Sequence, residues 1–561
     1  MSRSLAPVSI YVGNSSGIGF GDNPFGKDVA NVGLFRAIAK YSRHPGQLNF
    51  LSFGALGETA LEQGIFPWGA PTRSLGIASL FEQDKVAASG CLLRGSAEIA
   101  ELAWKRRGRG DRSYSIVGVV HTLAPPAIRE YISRCLVSPI QPWDALICTS
   151  PSVKQGLEQM FGDLGRFIAD RGGTTASVLP MPHLPVIPLG VDASSIARRM
   201  AEVGGRDQAR AALQIADDEI VVLWLGRMSY YEKANPSPMF QAVEQAARLS
   251  GKKMRFIMAG WFPNETVERP LYEQAALGHA PSVRVEFADG NDRNVVARCW
   301  AGSDIFLSLV DNIQETFGIT PVEAMAAGLP VVLSDWDGYR STVQNGVQGL
   351  QIPTMLPPSG DGQLMAERIA LGLDNYLQYA SNVSQHTAVD VDAAAASLSD
   401  LAGDPELRAR MGDAGQDCVR QHYDWPVVVA KLDDLWDDLA ALRMAAEGFG
   451  TNTADMQDPV KGDPFHSFAH FPTCSLDGDT VLEATEQSAA RFAKIVEVGL
   501  DMRLQAWRAP VAEEVIAFVR HHGPVQFSMI EDRFSAHRGM RLDLLVTWLC
   551  KYGVMSFSAG S

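Results

Sequence analysis

Residues 304–335 read DIFLSLVDNIQETFGITPVEAMAAGLPVVLSD. Two short apolar runs, Asp304-IFLSLV and Pro330-VVLSD, flank a stretch with helical spacing. Neither run alternates polar with apolar residues, so each predicts a strand buried on both faces, as in a parallel sheet covered by helices. The unit recurs as SIVGVV at 115–120, ALICTS at 145–150, IVVLWLG at 220–226 and RFIMAG at 255–260, each followed by a helical pattern. Strands alternating with helices predict an α/β class built on doubly wound parallel sheets.

The 561 residues exceed one core, so two or three domains are expected. The charged stretch ASSIARRMAEVGGRDQARAALQIADDE at 193–219 precedes a fresh buried strand and reads as a bridge. It sets an N-terminal domain at 1–200 and a second at 201–446, closed by the amphipathic DWPVVVAKLDDLWDDLAALRM at 424–444. Residues 447–490, rich in Gly, Pro, Asp and Thr through 479, read as a linker. Residues 491–561 carry three helical patterns and a strand-like tail, an order that resembles a winged-helix module. From Pro510 onward five basic residues balance five acidic ones, and the third helix is mostly Leu, Val and Trp. A neutral module with an apolar recognition helix suits a protein partner and not nucleic acid.

A net charge of −15 argues against polyanion binding by the chain as a whole. No apolar run approaches the ~20 residues of a membrane-spanning helix, and the N-terminus runs straight into a strand, not a secretory signal. Seven dispersed cysteines without a Cys-x-x-Cys pair suit reduced thiols. A cytoplasmic location is expected, with a peripheral position at a membrane compatible.

Glu315 and Glu323 stand eight apart across a Phe-Gly turn and a helix start. Thr320 reads as N-cap with Pro321 at the first helical position. The amides of Gly318 to Val322, Pro321 excepted, would then point out of a positive helix terminus, a site suited to a diphosphate. Thr320-x-x-Glu323 is equally a capping box, in which Glu323 merely satisfies its own helix end. A second candidate is Gly226-Arg227 at the end of a strand, with Lys233 six residues after the arginine. Glycine allows close backbone approach, and the two cations can neutralise a diphosphate leaving group. Surface ion pairing is the plain alternative for both.

Taken together, Glu315 with Glu323, Gly226-Arg227 with Lys233, IPLGVD at 187–192, and the tail DPELRARMGDAGQ with YDWPVVVAKLDDLW resemble the retaining family-4 glycosyltransferases (glycosyltransferase group 1). The resemblance covers about residues 5–445. It implies the GT-B fold, two Rossmann-like domains facing a cleft, and a nucleotide-diphosphate sugar as donor. By that resemblance Glu315 contacts the donor sugar, Glu323 the ribose, and Arg227 with Lys233 the diphosphate, while Phe317, Gly318, Ile319 and Thr320 offer backbone amides. His121, ending the strand SIVGVV, would face the same cleft. The loop from Gly13 to Gly26 resembles the glycine loop by which acceptor and diphosphate approach the first helix, although it is longer and lacks a Gly-Gly pair. Its Gly17, Gly19 and Gly21 have the wrong spacing for a dinucleotide fingerprint. The acceptor itself, whether glycan, lipid-linked or small molecule, is left open.

Three further signals have plain readings. Asp335-Trp336-Asp337 mimics a metal-binding Asp-x-Asp but follows a buried strand. His466, His470 and Cys474 recur every four residues between Pro464 and Pro472 or just beyond, where a regular helix is not expected. The run WKRRGRGDR at 104–112 reads as a solvated helix end, with an anionic acceptor or lipid headgroup as its alternative. No metal or cofactor is expected. Same-face transfer with retention is the expected chemistry. A sugar-nucleotide-binding regulator without activity, or an epimerase or phosphorylase on the same fold, are the rivals.

Overall fold

The computed structural model describes residues 5–13, 26–52, 57–67, 69, 71–173, 179–446, 457–498, 509–535 and 541–558. The chain divides into two compact units, Met1–Met456 and Gln457–Ser561.

The first unit holds two six-stranded sheets. One contains β1 (Leu5–Tyr11), β2 (Gln47–Ser52), β3 (Leu75–Ser79), β4 (Cys91–Arg94), β5 (Ser115–Val120) and β6 (Ala145–Cys148), in the order β3-β2-β1-β4-β5-β6. The other contains β7 (Glu219–Arg227), β8 (Lys253–Trp261), β9 (Arg284–Asp289), β10 (Ile305–Ser308), β11 (Val331–Ser334) and β12 (Gly349–Ile352), in the order β12-β11-β10-β7-β8-β9. Every pairing within both sheets is parallel. Strands β5, β6, β10 and β11 are buried at every residue, which is why their sequences show no alternation. In each sheet the winding direction reverses beside the first strand, between β1 and β4 and between β7 and β10. Open α/β sheets bind ligands outside the carboxyl ends of strands at such reversals.

One expectation is corrected. The helix Trp425–Ala445, expected to close the second domain, packs on the first sheet. Its apolar positions Trp425, Val428, Val429, Leu432, Trp436 and Leu439 join Val8, Ile10, Leu34 and Ile38 in one core. A helix-period stripe specifies burial without saying against which sheet. Polar contacts fix the choice: Asp433 accepts hydrogen bonds from Ser42 Oγ at 2.7 Å and the Arg43 amide at 2.8 Å. Arg443 donates to the Gly90 carbonyl at 2.7 Å and to Ser115 Oγ at 2.6 Å. The chain therefore crosses between the halves twice, side by side, with the Val191 amide donating to the Tyr423 carbonyl at 2.9 Å. Gly190 belongs to this crossing, because a Cβ there would lie 2.4 Å from the Trp425 ring.

The basic run at 104–112 is largely tied down. Arg106 is fully buried and forms an ion pair with Asp144, which also accepts from the Ile116 and Gln141 amides at 2.8 Å each. Arg109 pairs with Asp84, and Arg112 Nε donates to the Arg443 carbonyl at 3.2 Å. The expected solvated turn is thus partly an internal clamp.

The second unit has its own core, built from Leu482, Phe492, Val515, Val519, Ile530, Leu545 and Leu549. Val481–Ala484 is the central strand of a three-stranded antiparallel sheet, flanked by Val525–Gln526 and Met555–Ser558. Helices Ser488–Val498, Ala509–His522, Phe527–Arg533 and Leu542–Lys551 accompany it. The strand and the start of its first helix fall inside the 447–490 stretch read as a linker. VLEA is too short to signal a strand without its partners.

Candidate functional site

The β7 strand ends on Gly226 and Arg227, level with Gly260 and Trp261 of β8. The approach is close enough that a Cβ on Gly260 would lie 1.8 Å from the Gly226 carbonyl oxygen. The chain then turns, with the Ser229 amide bonding the Arg227 carbonyl and the Lys233 amide bonding the Ser229 carbonyl, both at 3.0 Å. That turn carries Arg227 and Lys233 to the carboxyl edge of the sheet, where both side chains remain partly exposed. Arg227 pairs with Glu232 at 3.0 Å, and Lys233 pairs with Glu315. The ion-pair reading of these cations is therefore real, but the partner of Lys233 is the other residue singled out by motif.

Glu315 sits on the loop leaving β10, beyond the buried Asp311 and Asn312. Asn312 Nδ2 donates to the Tyr231 carbonyl at 2.8 Å, and Trp336 Nε1 donates to the Asn312 carbonyl at 2.9 Å. The Gly338 amide donates to the Glu315 carbonyl at 3.1 Å. These bonds fix the loop between the β7 turn and the segment after β11. Gly318 has φ +81°, and a Cβ there would lie 2.0 Å from the Tyr339 ring, so glycine is demanded twice over.

The helix that follows is Ile319–Ala326, with Gly318 as N-cap and no side-chain cap. This corrects the expected cap at Thr320, which lies inside the first turn with Pro321. The left-handed Gly318 starts the helix one residue before Thr320. Glu323 is then too far in to close a capping box, and it has no hydrogen-bond partner among the described residues. Burial pushes its carboxyl up to about 7, opposed by Arg199. The amides of Phe317, Gly318, Ile319 and Thr320 have no backbone acceptor among the described residues and leave the helix terminus available.

Across from this loop stands the end of β5. Thr316 Oγ1 donates to the His121 carbonyl at 2.7 Å, joining the two halves. Asn31 Nδ2 donates to the Gly95 carbonyl at 2.8 Å, which leaves its Oδ1 to accept from His121 Nε2 at 2.9 Å. Burial pushes the imidazole down to about 4, with Lys27 acting in the same direction against a bond to Gly95, so His121 is neutral at physiological pH. The structure thus brings Lys233 to Glu315 and ties the loop ahead of the Ile319–Ala326 helix to His121, while Arg227 pairs with Glu232 and Glu323 lies within that helix under the charge of Arg199.

Other expected residues fare differently. Gly26 opens the helix Gly26–Tyr41, and a Cβ there would meet nothing within 4 Å. Gly17, Gly19 and Gly21 lie outside the described residues. Asp335 pairs with Arg340 at 3.1 Å. Asp337 adopts φ +42°, and burial with the neighbouring Glu315 charge pushes its carboxyl up to about 8. No group of three metal-capable side chains, His466, His470 and Cys474 included, is assembled among the described residues. Sequence reading missed Asn31, Thr316 and Asp311. Asn31 lies one turn past Lys27 on the first helix, and no motif marks it. Asp311 precedes the motif directly, and burial pushes it up to about 7.

Residues 205–385 match the family model of glycosyl transferases group 1. That match spans the second sheet and the loops just described. The chain is 31% identical over 150 residues to a D-inositol 3-phosphate glycosyltransferase of Rhodococcus erythropolis, covering 27% of this chain and 33% of the relative. It is 28% identical over 205 residues to the enzyme of that name from Nocardia farcinica, covering 35% and 43%. A phosphatidyl-myo-inositol mannosyltransferase of Mycobacterium leprae is 33% identical over 126 residues, covering 22% and 24%. The chain thus spans from about a quarter to under half the length of these curated relatives. Among solved structures, Anabaena Alr3699/HepE in complex with UDP and glucose aligns over 77% of this chain and 99% of its own, at 15% identity and TM-score 0.48. Sucrose-phosphate synthase from Thermosynechococcus elongatus aligns over 78% and 100%, at 15% identity and TM-score 0.46.

Proposed function

We propose that the chain is a glycosyltransferase that moves a sugar from a nucleotide-diphosphate donor to an acceptor hydroxyl with retention at the anomeric carbon. The observation that carries this reading is the convergence of Lys233 and Glu315 beside the unpartnered amides of the Ile319–Ala326 helix, within the segment matched to the family. Arg227, Lys233 and those amides hold the diphosphate, Glu315 the sugar hydroxyls and Glu323 the ribose.

In the reaction the bond from the anomeric carbon to the diphosphate oxygen breaks as the acceptor oxygen bonds on the same face. The acceptor proton passes to the departing diphosphate oxygen. Charge developing on that leaving group is met by two cations and fixed dipoles, which stabilise it without reorganising. Donor binding releases Lys233 from Glu315, freeing the ammonium for phosphate and the carboxylate for sugar. His121, held neutral by burial, faces the donor sugar or leaving group without adding charge. No metal is assigned to the step, because side chains and helix amides take the cation's role. The second unit, resembling a winged-helix module, serves a protein partner and not the chemistry.

A thermal-shift screen against UDP-, GDP- and ADP-sugars tests the donor class. A ligand at 100 times its dissociation constant adds roughly 2.7 kcal/mol of stability. The anomeric configuration of the product, read by proton NMR, tests retention. Failure of every nucleotide sugar to bind would sink the reading, and binding without hydrolysis or transfer would favour a non-catalytic sensor.

A further inference from the structure

Each cation proposed for the diphosphate is held by a carboxylate in the free protein, Lys233 by Glu315 and Arg227 by Glu232. When a donor takes the cations, Glu315 turns to the sugar hydroxyls. Glu232 has no such destination and would stand as a further anion beside the phosphates. Like charges repel, so the released carboxylate opposes donor binding unless another group holds it. Its backbone cannot carry it away. The Glu232 carbonyl accepts from Gln314 Nε2 at 3.1 Å, and the neighbouring Tyr231 carbonyl accepts from Asn312 Nδ2 at 2.8 Å. Only the side chain is free to move.

A second element reaches the same pair of charges. Residues 356–387 leave the second half as an excursion closed at its base by an antiparallel pair, Thr354–Met355 with Ala388–Val389. Thr354 Oγ1 donates to the Asp335 carbonyl at 2.9 Å, which anchors that base to the segment after β11. The last helix of the excursion, Tyr376–Ser384, starts with a capping box. Asn375 Oδ1 accepts from the Gln378 amide and Gln378 Oε1 accepts from the Asn375 amide, both at 2.9 Å. The helix docks through its buried Ala380 and Ser384. Its first residue, Tyr376, carries a buried hydroxyl with no hydrogen-bond partner among the described residues. The charged groups that act on this phenol are Glu232 and Arg227. Burial raises its pKa far above the ordinary value, with Glu232 acting in the same direction and Arg227 against it, so the hydroxyl keeps its proton. A buried hydroxyl left unpaired costs folding free energy, and phenylalanine would fill the same space without that cost.

We infer that Tyr376 is a positioning residue of the donor site, whose hydroxyl takes the Glu232 carboxylate when the diphosphate takes Arg227. The inference rests on the donor reading above. One ion pair is exchanged for two contacts, Arg227 with phosphate and Tyr376 with Glu232, each a charge-assisted hydrogen bond. The hydroxyl is unpaired in the free protein and paired in the complex, so the exchange favours the bound state.

A double-mutant cycle on the full chain tests this, by calorimetric titration with UDP, GDP and ADP. Tyr376→Phe should weaken whichever nucleoside diphosphate binds the parent by about tenfold or more, the scale of one hydrogen bond to a charged group. In the Glu232→Ala background the same substitution should change affinity by less than about twofold, because the carboxylate is gone. Free Tyr376→Phe should unfold thermally at or above the temperature of the parent, since the substitution removes only an unpaired buried hydroxyl. A tyrosine with a merely structural role would lower that temperature, and would weaken binding alike in both backgrounds. Either result overturns the inference, as does a Tyr376→Phe protein that binds like the parent. Failure of the parent to bind any of the three nucleotides refutes the donor reading and this inference with it, whereas unaltered binding by Tyr376→Phe refutes the role of Tyr376 alone.

Discussion

Donor binding should expel a proton from Glu323, and the structure sets how much. The carboxyl is pushed up to about 7 by burial and accepts no hydrogen bond in the free protein. With that value about three quarters of it is protonated near pH 6.5, and only a few per cent near pH 8.5. Ribose hydroxyls donate best to the ionised form, so a bound donor pulls the pKa down and releases about 0.7 proton near pH 6.5. Apparent affinity should then rise roughly tenfold from pH 6 to pH 8, with most of the change below 7. The sign for the free protein runs the other way. An acid whose folded pKa is raised loses stability as pH climbs from its unfolded value to about 7, and Glu323→Gln should level that slope. The assay is calorimetry with an intact nucleotide sugar in buffers of different ionisation enthalpy. An intact donor is required because a free nucleoside diphosphate titrates in the same range. Glu323→Gln should abolish the released proton while Asp311 and Asp337, which are also raised, remain as internal controls. Equal proton release from parent and Glu323→Gln would refute the ribose assignment.

Activity should survive EDTA, since Arg227, Lys233 and the helix amides do the work of a cation. Loss of activity restored by Mn²⁺ or Mg²⁺ would overturn this and direct attention to Asp335 and Asp337. Trp425→Ala should destabilise the first unit by about 3–5 kcal/mol, the usual cost of emptying a large aromatic site, measured by urea unfolding of residues 1–456. A loss below about 1 kcal/mol would mean that the crossing helix is not part of the first core. The chain cut after Met456 should fold and bind donor like the parent, because each unit has its own core. Loss of donor binding on truncation would make the second unit part of the catalytic body.

Most of the sheet architecture could be read from the chain because buried parallel strands write themselves as unbroken apolar runs. SIVGVV and DIFLSLV gave strands buried at every residue, and IVVLWLG one whose centre, Val221 to Trp224, is buried. Two residues singled out by motif, Lys233 and Glu315, stand 82 positions apart and meet as an ion pair, a contact that spacing did not announce. What escaped depended on contacts that sequence spacing does not encode. The stripe on Trp425–Ala445 announced burial, but only Asp433 meeting Ser42 and Arg443 meeting Gly90 chose the first sheet. Thr320 looked like a cap until Gly318, forced to a positive φ under the Tyr339 ring, began the helix early. Arg106 looked like one of five surface cations, and its burial rests on Asp144, 38 residues away. Asn31 carried no signal, because the histidine it meets, His121, follows a strand 90 positions further along the chain.

The donor-site account stands or falls on a calorimetric comparison of Glu315→Ala with the parent, using nucleoside diphosphate and then the intact nucleotide sugar. Glu315 is assigned to the sugar alone, so its loss should leave nucleoside diphosphate affinity within about twofold, or tighten it by freeing Lys233 from its ion pair. Affinity for the intact donor should fall, and turnover should drop by something like 10²–10³-fold, as for one polar contact that strengthens in the transition state. A variant that binds both ligands like the parent and turns over normally would contradict the assignment, as would one that loses nucleoside diphosphate binding while remaining folded.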